Sequence, residues 1–299
     1  MVEFTGLEDG GALRCDFGQS TLKLNVDETS LASQLGRRLA VGLVGSREAA
    51  EKVLGVDDRA RVEETELVPW RMICSLTVHS STDSYVGTGV LISPQAVLTA
   101  AHNLYALQDL GGWARAVDVS PGRDGPDTPF RTQRAVRFSV LHRWLEAEDR
   151  EADLGVIHLA DPFDPHPGHF GVAALRRDTL LERAINIAGY PHELERRQPN
   201  GRLIRPLGRF LYHHRDAVQD VSETRIFYGV DTSGGNSGSP AWIQETKDSP
   251  PVLVGIHAYG YSFGESGAGR FFNSAARITP QRLSVIKSWI ERSVTVGDG

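Results

Sequence analysis

From about residue 60 onward, apolar positions come in short runs rich in β-branched residues, separated by glycine and proline: 72–78, 89–99, 116–119, 154–159, 184–188, 226–230 and 252–257. Runs this short, bounded by turn residues and recurring along the chain, predict the strands of an all-β sandwich or barrel. Two stretches carry the other period. Leu31, Leu35, Leu39 and Leu43 recur every four residues, which places them on one face of a helix. Thr279-Pro280 reads as a helix start, and Leu283, Ile286, Trp289 and Ile290 continue as an apolar stripe. The pattern changes near residue 53, helix-like before it and strand-like after. No fixed period repeats and no tract is of low complexity.

Charge and length narrow the function. The 299 residues carry 32 Lys+Arg against 38 Asp+Glu, a net charge of -6. With no basic surplus, binding of nucleic acid through its phosphates has no support. The longest apolar run, 39–45, is far below the ~18 residues of a membrane helix, so a membrane protein is excluded. The amino terminus opens with acids and shows no basic stretch before an apolar run, so a cytoplasmic location is expected, with secretion as the alternative. Cys15 and Cys74 allow one bridge at most; Cys74 lies in an apolar run and reads as a buried thiol. Outside the positions discussed below, the histidines (His79, His142, His158, His166, His169, His192, His213 and His214) lack metal-ligand spacing and read as surface or cleft-rim residues. Neighbours such as His213 and His214 point to opposite faces of a strand, a poor geometry for one metal. No metal and no cofactor is expected.

Candidate chemistry sits in three places, in the order His, Asp, Ser. Val97-Leu98-Thr99-Ala100-Ala101-His102 follows the strand pattern Gly87-Thr88-Gly89-Val90-Leu91-Ile92; Ala152-Asp153-Leu154-Gly155-Val156-Ile157 opens another strand; the third is the run from Asp231 through Gly234-Gly235-Asn236-Ser237-Gly238-Ser239-Pro240. A serine hydroxyl is a poor nucleophile near neutral pH. A histidine within reach can take its proton, and a buried carboxylate fixes the useful tautomer. Glycines beside the serine let backbone N–H groups turn toward a developing oxyanion. An α/β-hydrolase would need Gly-x-Ser-x-Gly and the order Ser, Asp, His, and neither is present. Gly87-Thr88-Gly89 lacks the third glycine of a dinucleotide loop, where Ile92 stands.

These stretches, with Gly189-Tyr190-Pro191, Gly255-Ile256-His257 and Arg277-Ile278-Thr279, resemble the chymotrypsin-fold serine endopeptidases, and within them the glutamyl endopeptidase (V8-like) branch. The resemblance covers roughly residues 53–293. It implies two packed six-stranded antiparallel β-barrels with a C-terminal helix: 53–175 supplying His102 and Asp153, and 176–299 supplying Ser237 and the specificity pocket. Residues 1–52 stand outside it as a helical N-terminal extension. By that resemblance His102 is the general base, Asp153 its orienter and Ser237 the nucleophile, with the N–H groups of Gly235 and Ser237 as oxyanion hole. Protein or peptide substrates follow. An intact triad argues against a silent binding module on the same fold.

The departures bear on regulation and specificity. Asn236 stands where animal enzymes keep the Asp that pairs with a newly cleaved N-terminus, and a neutral amide makes no such ion pair. The resemblance places Thr232 and His257 where glutamyl enzymes bind a substrate carboxylate, so cleavage after Glu or Asp is expected. Asp231 stands where trypsin attracts basic side chains, which keeps an Arg/Lys preference as the alternative. Two readings of residues 1–52 stand side by side. One is a zymogen pro-segment cut after Lys52, leaving the amine of Val53 to help bind the substrate acid. The other is a retained extension that packs on the barrel or binds an activating partner.

Overall fold

The computed structural model describes residues 3–5, 13–16, 47–49, 54, 57–192, 196–197, 203–204, 208–246, 248–263 and 270–294. The apolar runs form strands: Ile73–His79, Ala116–Pro121, Gly155–His158, Ala184–Gly189, Arg225–Tyr228 and Val252–Phe263. The 89–99 run divides into Ser84–Ser93 and Ala96–Thr99, two antiparallel strands turned back on each other at Pro94-Gln95. Proline there cannot donate to the ladder, so the chain turns instead of continuing.

Six antiparallel strands of the C-terminal half close a barrel: Val252–Phe263, Pro240–Ile243, Ala184–Gly189, Tyr212–Val221, Arg225–Tyr228 and Arg270–Arg277, the last pairing back onto the first. The N-terminal sheet runs Arg137–Val140, Gly155–His158, Ala96–Thr99, Ser84–Ser93, Ile73–His79, Ala116–Pro121, Gln133–Arg134. It is not closed by a strand-to-strand ladder as the expected second barrel would be. Its two ends meet in one bent segment, residues 133–140: Ala135 N donates to Val117 O (2.9 Å) and Val136 N to His158 O (2.9 Å). Half of the segment pairs with each end of the sheet.

Where it is described, the N-terminal extension is strand and not helix. Leu13–Asp16 pairs with Arg137–Val140, and Arg47–Ala49 pairs with Val252–Phe263, so the extension adds one edge to each sheet. The Leu31–Leu43 helix pattern lies outside the described residues.

Ile185, Ile187, Ile226, Tyr228 and Val254 fill the closed barrel. A larger core holds the interior of the other sheet, the contact between the two halves and the C-terminal helix, Pro280–Val294. That helix starts as its sequence dictates, with the Thr279 hydroxyl accepting from Arg282 N (3.2 Å) and proline in the first turn. Ile286 and Trp289 are fully buried on the N-terminal sheet, over Gly155–His158 and Ala96–Thr99. The last helix therefore covers the first sheet. Arg137 Nη2 donates to the Arg292 carbonyl (3.0 Å) near the helix end, where carbonyls lack intrahelical partners. His158, expected at the surface, is buried there instead, with Ser139 Oγ at 2.8 Å and Ser293 Oγ at 2.6 Å on its two ring nitrogens.

Candidate active site

Register places the first two residues together. Thr99 pairs with Gly155, so the strands Ala96–Thr99 and Gly155–His158 present the same end of the sheet. The chain leaves one through the turn Ala101–Asn103 and enters the other from the turn Arg150–Ala152. His102 and Asp153 meet there: His102 Nδ1 lies 2.6 Å from Asp153 Oδ2, and His102 N donates to Asp153 Oδ1 (3.0 Å). The His102 side chain stays 24% exposed while Asp153 is at 0%. A third donor comes from the other barrel, the Tyr259 hydroxyl, whose ring centroid is 5.7 Å from that of His102. Burial pushes the Asp153 carboxyl up, but the His102 charge, its hydrogen bonds and the Tyr259 hydroxyl outweigh burial and hold it below the usual carboxylate range. Burial together with the Asp153 charge holds the Tyr259 hydroxyl far above its ordinary range, so it stays a donor.

Ser237 arrives from the closed barrel, on the loop before Pro240–Ile243. Its carbonyl accepts from Thr88 N (2.9 Å) and from Nδ2 of Asn103, the residue after His102 (3.0 Å). Thr88 ties the halves together further: its hydroxyl donates to Gly235 O (2.8 Å) and accepts from Tyr190 N (2.9 Å). The backbone of the loop is held on both sides, with Asn236 N on Ser233 O (3.0 Å) and Gly238 N on His257 O (2.8 Å). Two glycines are obligatory. Gly235 has φ +94, and a Cβ there would lie 2.5 Å from Tyr190 O; Gly238 has φ +89, and a Cβ there would overlap the Thr88 carbonyl oxygen.

Thr232 and His257 are both fully buried. His257 Nδ1 is 2.7 Å from the Tyr228 hydroxyl. Thr232 Oγ1 has no hydrogen-bond partner. Asp231, 3% exposed, is turned to its own chain: Oδ1 accepts from Leu54 N (2.5 Å) and Oδ2 from Asp58 N (3.1 Å). Val53 lies outside the described residues. Cys74 is a buried free thiol that burial pushes far up. Among the described residues no helix is long and apolar enough to cross a membrane, and no group of His, Cys, Asp and Glu fits a metal ion.

The sequence pointed to His102, Asp153, Ser237 and the glycines by their contexts. Thr88 lies in a stretch that the sequence singled out only as a strand pattern, and Asn103 and Tyr259 carry no local signal, because each acts across the gap between the two halves.

A trypsin family model matches residues 61–281, nearly all of both sheets. The chain belongs to the trypsin family. A glutamyl endopeptidase of Bacillus licheniformis is 30% identical over 243 residues, 80% of this chain and 69% of that relative. An extracellular metalloprotease of Bacillus subtilis, so named, is 25% identical over 239 residues, 79% of this chain and 69% of that protein. Among solved structures, a Glu endopeptidase in complex with MPD matches with a TM-score of 0.64 at 21% identity, covering 80% of this chain and 99% of that one. This trypsin-family member is a serine endopeptidase acting on proteins or peptides.

Proposed function

We propose that this trypsin-family protease cleaves after Glu, or Asp, through an acyl-enzyme on Ser237. Ser237 Oγ attacks the scissile carbonyl, His102 takes its proton and returns it to the leaving amine, and water then releases the acyl group by the same path reversed. Asp153 holds the Nδ1–H of His102, which leaves Nε2 as the base. The N–H groups of Gly235 and Ser237 are the oxyanion donors, a role that the left-handed backbone at Gly235 supports. The observation that carries the mechanism is the buried, triply donated Asp153 carboxylate on His102, beside a loop whose Ser237 carbonyl is bonded to the residue after His102.

The acidic preference rests on Thr232 and His257. A buried hydroxyl without a partner is an uncommon feature that a bound ligand would satisfy. The Tyr228 hydroxyl occupies Nδ1 of His257; in the tautomer where that hydroxyl donates, the ring proton is on Nε2, a donor suited to a carboxylate. The Arg/Lys alternative needs an available Asp231, and both carboxylate oxygens of that residue already hold backbone amides. The pairing of residues 13–16 and 47–49 with the two sheets favours a retained extension over a removed pro-segment. Amino-terminal sequencing of the active enzyme checks this point, and a uniform start at Val53 would reverse it.

A peptide-library cleavage profile, wild type beside Ser237→Ala, tests the proposal. Cuts after Glu that vanish in the variant, with a rate loss of roughly 10⁴ or more, are the expected result. Cuts after Arg or Lys would keep the nucleophile and overturn the pocket. A variant that cleaves at the wild-type rate would overturn the mechanism.

A further inference from the structure

The residues on either side of Thr232 are gripped from one distant stretch of chain. Asp231 holds Leu54 N and Asp58 N on its two carboxylate oxygens, at 2.5 and 3.1 Å, across 177 and 173 residues of sequence. Ser233 Oγ accepts from Arg59 Nη1 (2.7 Å) across 174 residues. Arg59 is itself clamped, with Nε and Nη2 each 2.9 Å from an oxygen of Asp57. Both neighbours of Thr232 thus answer to Leu54 and 57–59, while the Thr232 hydroxyl between them has no partner.

We propose that Leu54 and residues 57–59 act as a strap that sets substrate selection, with Asp231 as its anchor and a positioning residue for Thr232 rather than a reader of basic side chains. The inference rests on the reading of Thr232 as a pocket residue.

The chemistry of the contacts argues for this role. A carboxylate at 3% exposure is costly unless its oxygens are hydrogen-bonded, and here the donors are main-chain amides. Amides register the path of the chain rather than the identity of a side chain, so the loop and the strap must move together. A substrate guanidinium would have to share both carboxylate oxygens with these amides. Nor does His214 offer a substitute: its Nδ1 accepts from Asp231 N (3.0 Å) and stands 3.8 Å from Oδ2. Arg59 is matched by the Asp57 carboxylate, so its Ser233 contact is a directional strut and not a surplus positive charge. None of these groups touches His102 or Asp153 in the geometry described above. The Ser237 loop is held at Ser233 by a main-chain bond, Asn236 N to Ser233 O, so losing the side-chain contacts of Asp231 or Ser233 changes which peptides are chosen while leaving the reacting groups in place.

The experiment compares full-length wild type, Asp231→Ala, Asp231→Asn and Ser233→Ala. Matched fluorogenic peptides carry Glu, Gln or Arg before the scissile bond, and diisopropyl fluorophosphate labels the reactive serine independently of any pocket. Losing placement of a donor to a charged group is expected to lower kcat/KM for the Glu peptide by about tenfold or more in Asp231→Ala, chiefly through KM. Ser233→Ala should lose less, and Asp231→Asn, which keeps one acceptor oxygen, should recover part of the loss. Serine labelling should stay within about twofold of wild type, the span of an unaltered reacting centre on a scale where tenfold is 1.4 kcal/mol. Unchanged Glu selectivity in both Asp231→Ala and Ser233→Ala would overturn the strap. So would an equal fall in serine labelling, or the selective loss of an Arg cleavage present in wild type. A wild type without Glu preference would refute the pocket reading instead, before any variant is considered. Should Asp231→Ala fail to fold, Ser233→Ala and Asp231→Asn carry the same comparison.

Discussion

His213 makes the stability of this protein depend on pH in a calculable way. Its ring packs against both Trp70 and Trp242, at centroid distances of 5.0 and 5.7 Å, with Nε2 3.0 Å from Asn186 Oδ1. Burial, joined by His214 and Arg215 nearby, pushes it down from 6.5 to about 4. The folded protein keeps the ring neutral through a range in which the unfolded chain protonates it. Between those values the unfolded state binds the extra proton, so stability is full above about pH 6.5 and falls as pH drops toward 4. The full shift corresponds to about 3 kcal/mol, of which about 2 kcal/mol is lost by roughly pH 5. His213→Gln keeps a donor for Asn186 and removes the titration. Urea unfolding followed by tryptophan fluorescence, at pH 7 and pH 5, gives the difference of differences. Other groups that titrate in this range are common to both proteins and cancel. Wild type should lose about 2 kcal/mol more than the variant. Equal losses in the two proteins would refute the reasoning.

Tyr259→Phe keeps the ring beside His102 but removes a donor from Asp153; kcat should fall about tenfold with KM little changed, as for a lost hydrogen bond to a charge. Thr88→Val leaves Gly235 O and Tyr190 N without their shared hydroxyl; it should cost about 1–3 kcal/mol in urea unfolding and lower kcat as well. Trp289→Ala empties a fully buried site on the N-terminal sheet and should destabilise by about 3–5 kcal/mol in the same assay. An effect of under about 1 kcal/mol would contradict the placement of the last helix in that core.

What was legible in the sequence followed from local burial. Strands with both faces covered, such as Gly155–His158 and Ile73–His79, read as apolar runs in the sequence. Tyr212–Val221 is not legible because His213, His214, Arg215, Asp216, Gln219 and Asp220 interrupt any apolar run, although alternate positions are covered. Arg270–Arg277 was hidden by Asn273 and Ser274, polar residues buried through bonds to Val230 O and Tyr259 O. His102, Asp153 and Ser237 stand out in the sequence as candidates because each adjoins a strand edge or a glycine turn. The engagement of Asp231 could not be read in this way. Its partners lie 177 and 173 residues away, and main-chain amides leave no trace in side-chain identity.

The placement of the Pro280–Val294 helix has a consequence for the order of assembly. The sheet that carries His102 and Asp153 keeps an apolar face open until Ile286 and Trp289 settle on it. During synthesis that sheet must wait for a segment made more than a hundred residues after Asp153, and Ser237 is also made before the helix arrives. The core of the sheet that carries His102 and Asp153 is therefore complete only once residues 280–294 have been made and have docked on it.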